Sequence, residues 1–129
     1  MKESNLQAGV RKWAYGEYGK FTVDQKGRHK SGLIRILKLS TLGMYGEGGW
    51  MDLCFWVVGA YVFLIEMKVP GNDLSDLQSQ RKAELIAMGF HVYTKDNAQE
   101  AKETIRAEVD AAVARWRAAQ PKAKKRRAA

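Results

Sequence analysis

The chain is short of several things. Its 129 residues include one cysteine, Cys54, so an internal disulfide is excluded and a reducing, cytoplasmic setting is expected. Two histidines beside that cysteine are too few for an ordinary zinc site. No charged-then-apolar leader opens the sequence. There is also no membrane-length apolar run. The longest, Leu53 to Ile65, falls short of the roughly 20 residues that a spanning helix needs. It is rich in β-branched and aromatic residues around a central Gly59, which predicts two buried strands joined by a turn.

What is abundant is basic charge. The net charge is +8, unevenly spread. Residues 1–40 hold nine Lys/Arg against three Asp/Glu, and residues 41–70 hold one against three. Residues 71–120 hold seven against eight, and the last nine residues add five bases and no acid. Basic ends around an acidic middle suggest a polyanionic partner with a cation site between them. A merely soluble basic protein is the plainer reading. The length suits one domain, taken as residues 1–120, with 121–129 as a basic tail whose composition predicts disorder.

In chain order, Leu6, Val10, Trp13 and Ala14 mark an amphipathic helix over residues 3–16, ended by Gly16 and Gly19. Glu3 falls on its apolar face. There it either points toward a metal or complements the helix N-terminus. Lys20 to Val23 reads as a short strand. The polar loop Asp24 to Gly32 carries Lys26, Arg28 and Lys30, which suit phosphate contact or a solvated turn equally. Leu33 to Leu39 reads as a strand, and Thr41 to Gly49 as a glycine-rich flexible stretch. Gly48 and Gly49 would allow close approach beside Trp50 and Asp52.

The central hairpin, Met51–Trp56 with Tyr61–Lys68, brings the informative charges: Asp52 before the apolar run, Glu66 and Lys68 after it. Unpaired charges at the ends of buried strands are costly. Glu66 and Lys68, two apart, share a strand face. Asp52 joins them only if paired residue numbers sum to 118, which requires a loop of three or five residues or an equivalent bulge. A tight Gly59-Ala60 turn would set Asp52 opposite Met67 and separate the acids. A structural Asp52–Lys68 ion pair is the competing account, though such pairs stabilise little on balance.

After Pro70 and Gly71, a helix is expected from Leu74 to Met88 with Gly89 beyond its end. Ser75 and Gln78 match a capping box, which alone would explain Gln78. Phe90 to Thr94 reads as a strand, with His91 a structural residue. Asp96 and Gln99 read as a second cap, and Ala101, Ile105, Val109, Ala112 and Trp116 as a long helix ended by Pro121. The order α-β-β-β-β-α-β-α predicts an α/β sandwich around a mixed sheet, its last strand parallel to a neighbour.

Phosphodiester hydrolysis needs an activated water, charge relief on the phosphate and a stabilised leaving oxygen, all of which Mg²⁺ can serve. Two carboxylates, Asp52 and Glu66, with the Met67 backbone carbonyl, suit that ion, and Lys68 adds a point charge beside it.

Asp52 with Glu66-Met67-Lys68 resembles the PD-(D/E)xK nuclease motif. Gly49-Trp50-Met51-Asp52-Leu53, Ile65-Glu66-Met67-Lys68, Leu74-Ser75-Asp76-Leu77-Gln78 and Gly89-Phe90-His91-Val92 resemble, in order and spacing, the VRR-NUC domains, or virus-type replication-repair nucleases. The resemblance spans most of residues 3–106. It implies a restriction-endonuclease-like core, dependence on Mg²⁺ or Mn²⁺, and DNA cleavage. The small stand-alone phage members resemble Holliday junction resolvases and act as homodimers, implying branched DNA as substrate and a phage or prophage protein in a bacterial cytoplasm. By position, Asp52 and Glu66 would be metal ligands, Lys68 the catalytic lysine, Gln78 the motif glutamine and Glu3 the first-helix acid. Met51 stands where the family usually has proline. Lys124, Lys125, Arg126 and Arg127 in the tail would add DNA affinity. A sequence-specific restriction-type nuclease and a non-catalytic DNA-binding module are the competing readings.

Overall fold

A computed structural model of the chain describes residues 2–39 and 51–121. The glycine-rich stretch Thr41–Gly49, Trp50 and the basic tail from Lys122 onward lie outside these residues, so the readings placed on them stay expectations. Among the described residues nine elements follow in order: α1 (Glu3–Tyr18), β1 (Thr22–Val23), β2 (His29–Ser31), β3 (Ile34–Lys38), β4 (Leu53–Val57), β5 (Tyr61–Met67), α2 (Asp76–Ala87), β6 (His91–Lys95) and α3 (Ala98–Ala119). The fold is α/β: a mixed four-stranded sheet flanked by helices.

Two sequence expectations need correction at the N-terminal end. Gly16 does not end α1. The helix runs through it, and Gly19, at φ 79°, caps it by donating its N–H to Tyr15 O. A glycine without a Cβ costs too little to stop a helix whose face still packs, whereas Gly19 supplies the positive φ that the chain reversal needs. The polar stretch from Asp24 is also more ordered than a loop. His29–Ser31 returns as β2, antiparallel to β1, around a turn in which Asp24 Oδ1 accepts from the N–H groups of Lys26 and Arg28. This small hairpin adds one strand to the expected order.

The main sheet runs β3-β4-β5-β6, antiparallel except for the parallel β5–β6 pair. A parallel neighbour needs a crossover, and α2 supplies it. Alternation splits the strands between two cores. Ile34, Phe55, Phe63, Ile65 and Met67 face α1 and α3, meeting Leu6, Val10, Ile105 and Val109. Phe55 and Phe63 are direct cross-strand partners with rings stacked 4.7 Å apart, a pairing worth roughly 0.5–1.5 kcal/mol beyond its buried area. Cys54, Leu64 and Val92 face the other way, against Leu85 of α2.

The β4–β5 register decides the site. Leu53 pairs with Ile65 and Val57 with Tyr61, each pair summing to 118. Three residues, Val58, Gly59 and Ala60, form the connection, with Gly59 at φ 84° and Ala60 at φ 60°. The odd loop demanded by the acids is therefore present. The apolar run is two strands and a turn, as expected, and among the described residues no helix is long and apolar enough to cross a membrane.

The caps show a further correction. Ser75 and Gln78 form the expected reciprocal capping box on α2. On α3 the cap is Asn97, whose side chain accepts from Glu100 N–H, one residue beyond the expected Asp96–Gln99 pair. Asn97 follows β6 closely enough that its extended backbone, not that of Asp96, is the last before the helix.

Candidate active site

The acids meet where β4 begins and β5 ends. Asp52 lies just before β4, and Leu39 N–H donates to its carbonyl at 2.7 Å, extending the β3–β4 ladder by one step. Its own N–H donates to Glu66 Oε1 at 2.9 Å across the strand pair. Glu66 is fully buried and Asp52 nearly so, at 0% and 5% exposure. Glu3 reaches them from the first turn of α1, so that one carboxylate oxygen from each of the three lies within 4.8 Å of the others. No other group of metal-ligating side chains this close occurs among the described residues. Glu3 thus lies both in the first turn of its helix and beside the acids.

Three cationic or amide groups surround the carboxylates. Lys68 Nζ stands 3.7 Å from Glu66 Oε2, on the same strand face two residues on. It pairs with Glu66, and no Asp52–Lys68 pair of the purely structural kind is formed within that distance. Gln78 donates its side-chain amide to the same Oε2 at 3.2 Å. Its carbonyl oxygen meanwhile accepts from Ser75 N–H, and its backbone N–H donates to Ser75 Oγ. The choice between cap and site residue dissolves: one side chain spans both.

Gln7 was missed from sequence. It is 4% exposed, one helical turn after Glu3, and donates to Asp52 Oδ2 at 2.7 Å. Its Oε1 is buried without a hydrogen-bond partner, as is Nε of Arg11 one turn further on. A polar residue inside the apolar stripe of α1, between Leu6 and Val10, was the available signal.

Burial, then the neighbouring Asp52 carboxyl, pushes the Glu66 carboxyl well above its usual range, while Lys68 and the Asp52 N–H oppose the shift. An uncompensated buried anion beside another is unfavourable, so the metal-free site favours a proton there. The donor set suits a hard divalent cation: several carboxylate oxygens, an orphaned amide oxygen on Gln7, and no competing thiolate or imidazole.

The other predicted contacts sit elsewhere. Lys26, Arg28 and Lys30 are exposed on the β1–β2 hairpin. That hairpin joins the sheet near Ile34, whereas the acids lie by Lys38 and Leu39 at the opposite end of β3. Arg28 is partly engaged with Asp24 at 3.3 Å. The Met67 side chain is fully buried in the α1–α3 core. His91 is tied into a separate cluster on the α3 side of the sheet. There Glu108 accepts from Tyr61 and Tyr93, and His91 Nδ1 lies 2.7 Å from its Oε2.

No family model matches the chain, and no curated protein matches it. Among solved structures, a protein described as a VRR_NUC domain protein is similar in fold. The two are 21% identical with a TM-score of 0.60, over 85% of this chain and 89% of that one. At that identity the likeness establishes a shared fold, and the acid cluster on it is a candidate metal centre.

Proposed function

We propose that the chain is a metal-dependent DNA endonuclease of the PD-(D/E)xK type, similar to VRR-NUC enzymes. One observation carries the reading: carboxylates from residues 3, 52 and 66 converge within 4.8 Å, with Lys68 Nζ 3.7 Å from Glu66. The VRR_NUC likeness in fold supports it.

Asp52 and Glu66, with Glu3 and the Met67 backbone carbonyl, would hold Mg²⁺, or Mn²⁺ in its place. The bound ion supplies charge relief on the phosphate oxygens and a more acidic water. Lys68 is placed to hold the attacking water and to offset charge on the scissile phosphate. Gln78 fixes the Glu66 carboxylate through Oε2, and Gln7 fixes Asp52 through Oδ2. Glu66 Oε1 meanwhile accepts from Asp52 N–H.

The domain is residues 1–120, with the tail from 121 adding sequence-independent affinity through Lys124, Lys125, Arg126 and Arg127, as Lys26, Arg28 and Lys30 do from the hairpin. A small domain without a base-reading module acts on the shape of DNA more readily than on its sequence. The substrate is therefore branched DNA such as a Holliday junction, cut symmetrically by a two-fold homodimer. The setting is the cytoplasm of a bacterial host carrying a phage or prophage.

Labelled junction, flap and linear duplex, incubated with protein and Mg²⁺, test this. Wild type is expected to nick the junction preferentially, and Lys68→Ala to lose at least about a hundredfold in rate. Identical products from both proteins would remove the assigned site. Fixed cut sites on plasmid DNA would point to a restriction-type enzyme instead.

A further inference from the structure

A cavity of about 390 Å³ opens at the far end of β4 from the acids. Its size falls in the range of roughly 300–1,000 Å³ typical of small-molecule sites. Aromatic side chains dominate its wall. Phe21 and His29 stack face to face, 4.4 Å apart and 7° from parallel, and His29 meets the edge of Trp116 at 6.0 Å. Trp56 completes the set and remains 51% exposed. The charges are one-sided: Arg35 lines the cavity and no Asp or Glu does. The hairpin that carries His29 also presents Lys26 and Lys30 to solvent.

The cavity wraps the end of the sheet: Phe21 and Trp116 lie on the α1–α3 side, and Trp56 and Arg35 on the face that carries the acids. Asp52, Cys54 and Trp56 alternate onto the same side of the hairpin as Glu66. On β3, Arg35 pairs with Trp56 and Leu37 with Cys54, so they share that side too. Arg35, Leu37 and Trp56 are all exposed there, while Cys54, between Trp56 and Asp52, is buried in the cluster with Leu85 of α2. From Asp52 to Trp56 the chain advances about 13 Å at ~3.3 Å per residue. That is about four steps of a stacked strand at ~3.4 Å each.

We infer that this cavity receives an unpaired base of the DNA substrate, about four nucleotides from the scissile phosphate, with Trp56 and the Phe21–His29 pair as stacking surfaces and Arg35 on the adjoining phosphate. The inference rests on the nuclease reading and adds a strand-binding subsite to it. Aromatic faces take any base, and a cationic rim without acids suits the backbone on either side. A branch point or flap supplies the unpaired nucleotide, which a continuous duplex does not.

The test is fluorescence anisotropy with a labelled oligothymidylate, read in EDTA so that no cutting intervenes, against the same strand made abasic. Wild type is expected to bind the base-bearing strand about tenfold more tightly. Trp56→Ala should lose that preference and Trp56→Phe should keep it. Equal binding of both strands by wild type overturns the inference without recourse to any variant. So does a preference unchanged in Trp56→Ala. If sedimentation shows that Trp56→Ala splits a dimer while the base preference persists, the cavity is a contact between copies, and the inference falls. Cleavage with Mg²⁺ is measured in parallel. Base preference without cleavage sinks the nuclease reading alone; cleavage without base preference sinks the subsite alone.

Discussion

Gln78 holds Glu66 from the first turn of α2: its amide donates to Oε2 at 3.2 Å while its carbonyl accepts the Ser75 N–H. Two roles on one side chain can be separated by mutation. Ser75→Ala removes the cap and is expected to cost about 1 kcal/mol of stability with little change in metal affinity. Gln78→Ala should match that loss and also weaken Mn²⁺ binding by about tenfold. Chemical unfolding and Mn²⁺ titration of the two variants side by side would check this. Equal metal affinity in both would leave Gln78 a cap only.

The Gln7–Asp52 hydrogen bond predicts a second effect. Gln7→Leu keeps the volume and the helix but leaves Asp52 Oδ2 without its donor at 2.7 Å. Metal affinity should fall by about ten- to a hundredfold, measured calorimetrically. Gln7→Glu should be worse, because it adds a fourth carboxylate to a site already crowded with three.

Protons and metal should compete at Glu66. Its carboxyl is pushed up from 4.5 to about 8, first by burial and then by Asp52. Between those values the folded protein holds a proton that the unfolded chain has lost. The unfolded state then binds fewer protons, so the stability of the metal-free protein falls as pH rises through that window. Unfolding midpoints of metal-free protein should drop from about pH 5 to about pH 8, and Glu66→Gln should flatten the slope. Mg²⁺ should stabilise more at the higher pH, where no proton has to leave first.

The β4–β5 connection sets a structural prediction. A Cβ on Gly59 would lie 3.1 Å from the Cβ of Trp116, and φ there is +84°. Gly59→Val should therefore cost about 2 kcal/mol, from strain at a positive φ and from displacing Trp116. Thermal unfolding would measure the cost. Ala60, at φ 60°, sits one residue on, and Ala60→Gly should be near neutral, relief of strain offsetting the freer unfolded chain.

Salt dependence offers a fifth check. Each lost phosphate contact flattens the slope of log affinity against log salt by about 0.9 on duplex DNA. Deleting residues 121–129, and separately replacing Lys26 and Lys30 by Gln, should each flatten it. An unchanged slope would leave those bases as solvated charge.

Much of this arrangement was legible in the residues because strand alternation is strict. Given Asp52, Glu66 and Lys68, only an even pairing sum puts them together, and the Val58–Ala60 loop delivers it. The capping box on α2 was equally plain, since its chemistry is local. What escaped was set by packing. Gly16 stays inside the last turn of α1 because Val10 and Ala14 are held by the core before it. Asn97 displaced Asp96 as the α3 cap because the end of β6 fixes where the backbone can turn. Gln7 stands in the apolar stripe of α1, but only the fold brings it to Asp52. The hairpin bases were read as phosphate contacts or a solvated turn, and only the direction of β3 shows that they lie at the far end of the sheet from the acids.

Two buried glutamates of this protein stand in opposite electrical conditions. At Glu108 burial alone would raise the carboxyl, but Tyr61, Tyr93 and His91 outweigh it and hold it below its ordinary value. Its oxygens are already spoken for, so it is a permanent anion with nothing to offer an incoming ion. Glu66, more deeply buried and with another acid beside it, instead keeps a proton that can be exchanged. The same side chain thus serves as a fixed tie at one position and as a replaceable charge at the other. Depth and a neighbouring acid at Glu66, against three side-chain donors at Glu108, decide which of the two carboxyls keeps a proton for a metal to replace.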